Sequence, residues 1–159
     1  MKIRAMSPAD LSALYDIYIE KEVVNNNRYS PDIKREEFDL MFNGNQHNFV
    51  AVETGGEVFG HLAIITTEKP RLKHSASFGI VVAKASRGKG VGRFLMGHLL
   101  SYCENELDLA RLELEVHANN KAALALYKSF GFEIEGTKRK AVLVEDELID
   151  IVIMSRVLT

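Results

Sequence analysis

Tryptophan is absent from this 159-residue chain, cysteine occurs once and proline three times. A single cysteine, Cys103, excludes an internal disulfide framework and fits a reducing compartment. Beside Leu99 and Tyr102 on a helical pattern, it reads as a small buried apolar residue rather than a nucleophile. No apolar run approaches the roughly 18 residues of a spanning helix. The opening MKIRAMSPADL also lacks the apolar centre of a secretory signal. A cytoplasmic protein with no membrane partner is the expectation. Charge of one sign is missing too: the formal net charge is −2, which gives nucleic acid no global attraction. His47, His61, His74, His98 and His117 show no metal-ligand spacing, so no metal is expected. Without repeats, low-complexity tracts or Pro/Ser-rich linkers, residues 1–159 read as a single domain.

What is present is a sequence of alternating elements. KIRAM reads as a short strand. SPADLSALYDIYIEK reads as a helix with Ser7 as N-cap, Pro8 at its first position and Asp10 in its first turn. After the polar loop VVNNNRYSP, a second Ser-Pro opening starts a helix over SPDIKREEFDLMF. NFVAVET and GEVFGHLAIITTE form a hairpin around Thr54-Gly55-Gly56, and SASFGIVVA is a further strand. GVGRFLMGHLLSYCENEL is a helix, RLELEVHA an alternating strand, and NNKAALALYKSFG a helix with an Asn cap and a Gly stop. FEIEGTKR and LIDIVIMSRVL complete the chain as strands. The fold class is therefore α/β (α+β) with a mixed sheet, because one strand–helix–strand crossover of that length links parallel strands.

The crossover begins at Arg87-Gly88-Lys89-Gly90-Val91-Gly92, between a β-branched run and an amphipathic helix. Glycines at a helix entrance let main-chain N–H groups approach an anion, and the helix dipole adds about half a positive charge. Arg87, Lys89 and Arg93 bring formal charge to the same spot, so a diphosphate is the natural guest. A Walker A loop fails, since Gly90 follows Lys89 where that motif continues with Ser or Thr. A dinucleotide fingerprint fits poorly, because Arg93 occupies the position of its third small residue.

The run fits the pattern [RQ]-x-x-G-x-[GA] at every position. Together with LELEVHANNKAALALYKSFGFEIEG, in which Asn120, Ala123, Tyr127, Gly131 and Phe132 match in spacing, it makes the chain resemble the GCN5-related N-acetyltransferase (GNAT) superfamily along essentially its whole length. The resemblance implies a mostly antiparallel sheet of about seven strands flanked by four helices, splayed between strands 4 and 5. It also implies acetyl-CoA as cosubstrate, with pantetheine along Val81, Val82 and Ala83 and the diphosphate on the main chain of Arg87, Gly88, Lys89, Gly90, Val91 and Gly92. The main chain of Val82 would orient the thioester carbonyl and stabilise the developing oxyanion. Gly79 would mark either a bulge that frees this amide or a packing gap. Tyr127 matches the general acid that protonates the leaving thiolate, and Asn120 would cap its helix and touch the cosubstrate.

The acceptor is less defined. GFEIEGTKRK and DELIDIVIMSR look most like amino-acid and aminoacyl N-acetyltransferases, and less closely like ribosomal-protein N-terminal and polyamine acetyltransferases. An α-amine, with a pKa of about 8, is already partly neutral at physiological pH and asks little of a base; a lysine-type amine, at about 10.4, asks more. Glu113, Glu115 and His117 share one strand face; either one of them takes the proton or they form a solvated, ion-paired face. Specificity is expected in VVNNNRYSP and in the turn of VEDELID, where Glu145-Asp146-Glu147 replaces a glycine usual in related sequences. RLK (Arg71–Lys73) and KRK (Lys138–Lys140) read as solvated charge. The expected activity is acetyl transfer to the primary amine of a small molecule, a free or aminoacyl amino acid. The alternatives are a protein N-terminal or polyamine acetyltransferase, or a non-catalytic acetyl-CoA sensor. Family analogy also admits a homodimer.

Overall fold

Alternating apolar and polar residues form the strands β1 (Lys2–Ala5), β2 (Gln46–Val52), β3 (Val58–Ile65), β4 (Ser75–Val82), β5 (Arg111–His117), β6 (Glu133–Val144) and β7 (Glu147–Val157). In the computed structural model, which describes residues 1–26, 32–42 and 44–158, they make one sheet in the order β1-β2-β3-β4-β5-β7-β6. All neighbours are antiparallel except β4 and β5, the pair joined by the expected crossover.

Five α-helices are found among the described residues: α1 (Leu11–Tyr18), α2 (Lys21–Val24), α3 (Arg35–Asp39), α4 (Val91–Asn105) and α5 (Lys121–Ser129). Four were expected. The fifth is α2: the backbone is extended at Glu20 (φ −60°, ψ 135°), inside the expected first helix, and a separate turn then forms that takes in Val23 and Val24 of the expected loop. The Ser7-Pro8 opening becomes a 3₁₀ turn, Pro8–Asp10, in which the Ser7 N–H donates to Asp10 Oδ2 at 2.8 Å. The second Ser-Pro pair lies outside the described residues. None of the helices described is long and apolar enough to cross a membrane.

Helices cover both faces of the sheet. Leu95, Met96, Leu99 and Cys103 of α4 and Tyr127 of α5 pack on Leu62, Ile64, Phe78, Leu112, Leu114 and Met154. On the other face Leu14, Ile17 and Tyr18 of α1, with Val23 and Phe38, pack on Val50 and Val52. Full burial of each such side chain contributes about 1.5–3 kcal/mol. Cys103 is fully buried, which pushes its thiol up to about 12 and fits the apolar role expected of it.

The start of α4 is pressed onto the sheet. A Cβ at Gly60 of β3 would meet Val91 Cγ1 at 3.2 Å and Leu95 Cδ1 at 3.3 Å, and one at Gly92 would meet Leu126 Cδ2 at 3.2 Å. These two absent side chains set the helix mouth close to β3 and to α5. The end of α5 is equally determined: Gly131 takes φ +85°, and the N–H groups of Gly131 and Phe132 donate to Lys128 O and Tyr127 O at 3.0 and 3.1 Å. That closing pattern needs a residue free to adopt a left-handed backbone.

Candidate active site

β4 and β5 pair only at Ser75–Arg111, Ala76–Leu112 and Ser77–Glu113, although β4 continues to Val82 and β5 to His117. Past Ser77 the strands part, as expected. The alternation of an antiparallel ladder decides which main-chain groups face this split. Ala83 N–H donates to Phe59 O at 2.9 Å, so the opposed residues Gly60 and Val82 are a pair whose own N–H and C=O groups point away from each other. The Val82 groups therefore face the split, and its carbonyl accepts from Arg87 Nε at 3.4 Å. On the opposite bank, Ala118 N–H donates to Asp150 O at 2.8 Å, which turns the main-chain groups of His117 away from β7 and into the same opening. No bulge is needed. The β3–β4 register runs unbroken from Gly60–Val82 to Ile65–Ser77, so the bulge reading of Gly79 does not hold.

The glycine turn lies immediately beyond. Gly88 and Gly90 adopt φ +75° and +81°, with open space where a Cβ would sit. Gly90 caps α4 without a side chain, and its carbonyl accepts from Phe94 N–H at 3.0 Å. The first turn of any α-helix has no internal acceptors for its N–H groups, so Val91, Gly92 and Arg93 offer theirs outward. Val91 contributes main chain only, since its side chain is buried against Gly60. A diphosphate fits this cradle. The side-chain charge differs from expectation: Arg93 Nη1 donates to Ser129 Oγ at 3.2 Å and its guanidinium sits 4.9 Å over the Phe130 ring, while Arg87 pairs with Glu22 of α2. Arg93 thus serves α5 rather than the turn.

Tyr127 is 8% exposed and meets Phe78 and Phe132 edge-on at 5.8 and 6.2 Å. Burial pushes its phenol up to about 12, so it keeps its proton at neutral pH, and among the described residues its hydroxyl has no hydrogen-bond partner. Asn120 caps α5 through Oδ1, which accepts from Ala123 N–H at 3.2 Å. That leaves its amide NH₂ to donate elsewhere.

Beside Asn120 opens a cleft of about 510 Å³. It is lined by Glu22, Asn25 and Asn26 of the α2 segment, Asn119 to Ala122, and Val144, Glu145, Glu147 and Ile149 of the last hairpin. The two segments expected to set specificity are thus brought together, although residues 27–31 of the loop lie outside the described residues. In the hairpin turn Glu145 and Asp146 both have left-handed backbones, φ +47° and +66°, where glycine would be unstrained. The cleft is bipolar in composition: Glu22, Glu145 and Glu147 come from α2 and the last hairpin, while Lys121, with Asn119 and Asn120, comes from the start of α5.

The three possible proton acceptors separate clearly. Glu113 binds Arg111 at 3.0 Å and Glu115 binds Lys138 at 2.5 Å. His117 is 3% exposed and its Nδ1 has no partner among the described residues; burial lowers its pKa, outweighing a backbone hydrogen bond with Asn25 that raises it, so the ring is neutral at physiological pH.

Comparison with known proteins agrees with this geometry. The sequence profile of the acetyltransferase (GNAT) family matches residues 11–132. The chain belongs to the GNAT family. Among its relatives, "L-amino acid N-acetyltransferase AaaT" of Escherichia coli is 42% identical over 102 residues, 64% of this chain and 63% of that protein. Less than two thirds of AaaT is therefore spanned. "Spermidine N(1)-acetyltransferase" of Vibrio cholerae is 26% identical over 86% of this chain and 80% of its own length. A solved GCN5-related N-acetyltransferase from Kribbella flavida superposes with a TM-score of 0.86 at 26% identity, covering 99% of this chain and 97% of that one.

Of the residues expected at the site, Asn120 lines the cleft, Val82 faces the split, the Arg87–Gly92 turn follows β4 at the mouth of α4, and Tyr127 is buried against Phe78 and Phe132. Val81 and Ala83 flank Val82, and Val81 is half-buried against the α1 face. Glu20 and Glu22 escaped the sequence reading. Glu20 Oε1 accepts from the Lys84 N–H at 2.9 Å, and Glu22 approaches both Lys84 and Arg87. Nothing in a short helix with exposed charges distinguishes these residues from ordinary solvated ones.

Proposed function

We propose that this chain transfers an acetyl group from acetyl-CoA to the primary amine of a small molecule, an L-amino acid or aminoacyl compound. What supports this reading is the split between β4 and β5, which the main chain of Val82 faces, with a side-chain-free helix mouth following β4 and a bipolar cleft beside the start of α5. Acetyl-CoA supplies an activated acyl group as its thioester. The residues of this chain position it and manage charge.

The N–H groups of Gly88 through Arg93 hold the diphosphate, and Lys89 adds a cation at the rim. Val82 N–H donates to the acyl oxygen as negative charge grows there, while Val81 and Ala83 keep the strand straight alongside. Tyr127 carries its proton and donates it toward the leaving sulfur. Its weak acidity fits hydrogen-bond donation during bond breaking better than early full proton transfer. Neutral His117 is the one candidate acceptor not held in an ion pair, and an amine in the cleft releases its proton towards it.

The bipolar lining supports a zwitterionic acceptor. The ammonium is attracted by the carboxylate side, and the α-carboxylate by Lys121, Asn119 and the start of α5. The 42% identity with a protein named for L-amino acids supports the same class. The experiment is CoA-thiol release across L-amino acids, dipeptides and spermidine. Fastest turnover with free amino acids is expected. Preference for spermidine would reassign the acidic side to a polycation, and thermal stabilisation by acetyl-CoA without any turnover would make the chain a sensor.

A further inference from the structure

The α2 segment carries charges that reach both the approach to the glycine turn and the last hairpin. Glu20 and Glu22 grip the segment leading into the glycine turn: Glu20 accepts from Lys84 N–H at 2.9 Å, Glu22 lies 3.6 Å from Lys84 Nζ, and Glu22 pairs with Arg87. Lys21 reaches the other way, to Glu145 of the last hairpin at 3.4 Å. Glu22 also lines the acceptor cleft. One carboxylate therefore neutralises the basic approach to the diphosphate cradle and borders the amine site.

We propose that Glu22 is a shared positioning residue: it occupies Arg87 and Lys84 in the CoA-free protein, and a diphosphate arriving at those cations releases it into the cleft to hold the amine. The proposal rests on the functional reading above. Its physical basis is the unequal strength of two anions. The Arg87–Glu22 pair is exposed, with side chains 37% and 48% accessible, and such pairs contribute little. A diphosphate carries more charge, and each of its oxygens accepts charge-assisted bonds from the same guanidinium. Displacement costs little and moves a negative charge from the donor end to the acceptor end. Because coupling is reciprocal, an amine that captures Glu22 also uncovers Arg87 for the cosubstrate. Such coupling sets no binding order: each ligand raises the affinity for the other.

The test is calorimetry of CoA binding to wild type, Glu22→Gln, Arg87→Gln and the double variant. E22Q is expected to bind CoA about threefold more tightly, because its competitor is gone. In the R87Q background the same change should have less effect, a cycle that isolates the pair. A second readout uses whichever of L-leucine, glycyl-leucine and spermidine turns over fastest: E22Q should raise its KM about fivefold with kcat retained. E22Q binding CoA no better than wild type overturns the guard role, and an unchanged amine KM overturns the delivery role. Wild type binding no CoA at all would instead overturn the functional reading, so the failures are distinguishable.

Discussion

At the donor end of the split the groups on offer are main-chain N–H donors at Val82 and in the first turn of α4. At the acceptor end they are side chains, contributed by α2, the start of α5 and the β6–β7 turn. The donor end is held by absences: Gly60 and Gly92 let the helix mouth press on β3 and α5, and Gly88 and Gly90 take left-handed backbones. The acceptor end is held by charges, and at Glu145 and Asp146 it keeps carboxyl-bearing residues in a backbone that disfavours them. The difference teaches where specificity can change. In the proposed reading, a main-chain cradle recognises a diphosphate common to every CoA ester, while side chains can be exchanged without disturbing it.

The largest expected effect comes from breaking the donor end. Gly90→Glu puts a carboxylate into the open space of the cradle and a Cβ at φ +81°. CoA affinity should fall at least about 100-fold, from lost charge-assisted bonds and added repulsion, while the backbone strain costs only about 1–2 kcal/mol of stability. Calorimetry beside thermal unfolding separates the two, and retained affinity would show that the diphosphate binds elsewhere. Tyr127→Phe comes next. It should lower kcat about 100-fold with the CoA dissociation constant nearly unchanged, and an unaltered kcat would remove the phenol from the chemistry.

A third test sharpens the contrast through the acceptor-side face. His61 sits under α1, 1% exposed, its Nδ1 accepting from the Tyr18 hydroxyl at 2.7 Å and its Nε2 donating to Asn48 Oδ1 at 2.9 Å. Burial lowers its pKa to about 4, from an ordinary 6.5. The unfolded chain therefore binds the proton first as pH falls. Stability from this group is complete above pH 6.5 and declines towards pH 4, by about 3 kcal/mol at most. His98 and His117, also lowered by burial, add to the same slope. Asp10 and Glu135, lowered to about 2 by Arg4 and Arg111, act only at lower pH. Unfolding midpoints between pH 7.5 and 4.5 should fall steeply in wild type and less in His61→Gln; equal slopes would exclude His61 as the titrating group. The smallest effect is expected at the hairpin turn. Asp146→Gly should raise stability by about 1 kcal/mol by relieving its left-handed strain, and no gain would mean that the turn is not strained.

How much of this was legible in the sequence follows the same division. The seven strands, the single parallel pair, the Asn120 cap and the Gly131 stop were readable, because each is enforced by local pattern or by a residue with a special backbone, whereas the placing of β7 between β5 and β6 was not. The glycine turn was readable for the same reason. The fate of side-chain charge was not. Arg93 turns to Phe130, Arg87 to Glu22, and Glu113 and Glu115 to their own cations, pairings that depend on tertiary approach between distant segments. The break at Glu20 was hidden too, since nothing in IYIEKEVV prevents a continuous helix by propensity. Gly79 misled in an instructive way: Val82 reaches the split by ordinary strand alternation, without a bulge.

The central claim is that bare main-chain donors grip the diphosphate at the mouth of α4. Amide chemical shifts of the labelled protein, followed as CoA is titrated in, test it most directly. The account predicts the largest displacements at Val82 and from Gly88 to Arg93, with small ones across β1 and β2. Displacements concentrated on another surface, with these amides unmoved while CoA binds, would contradict it.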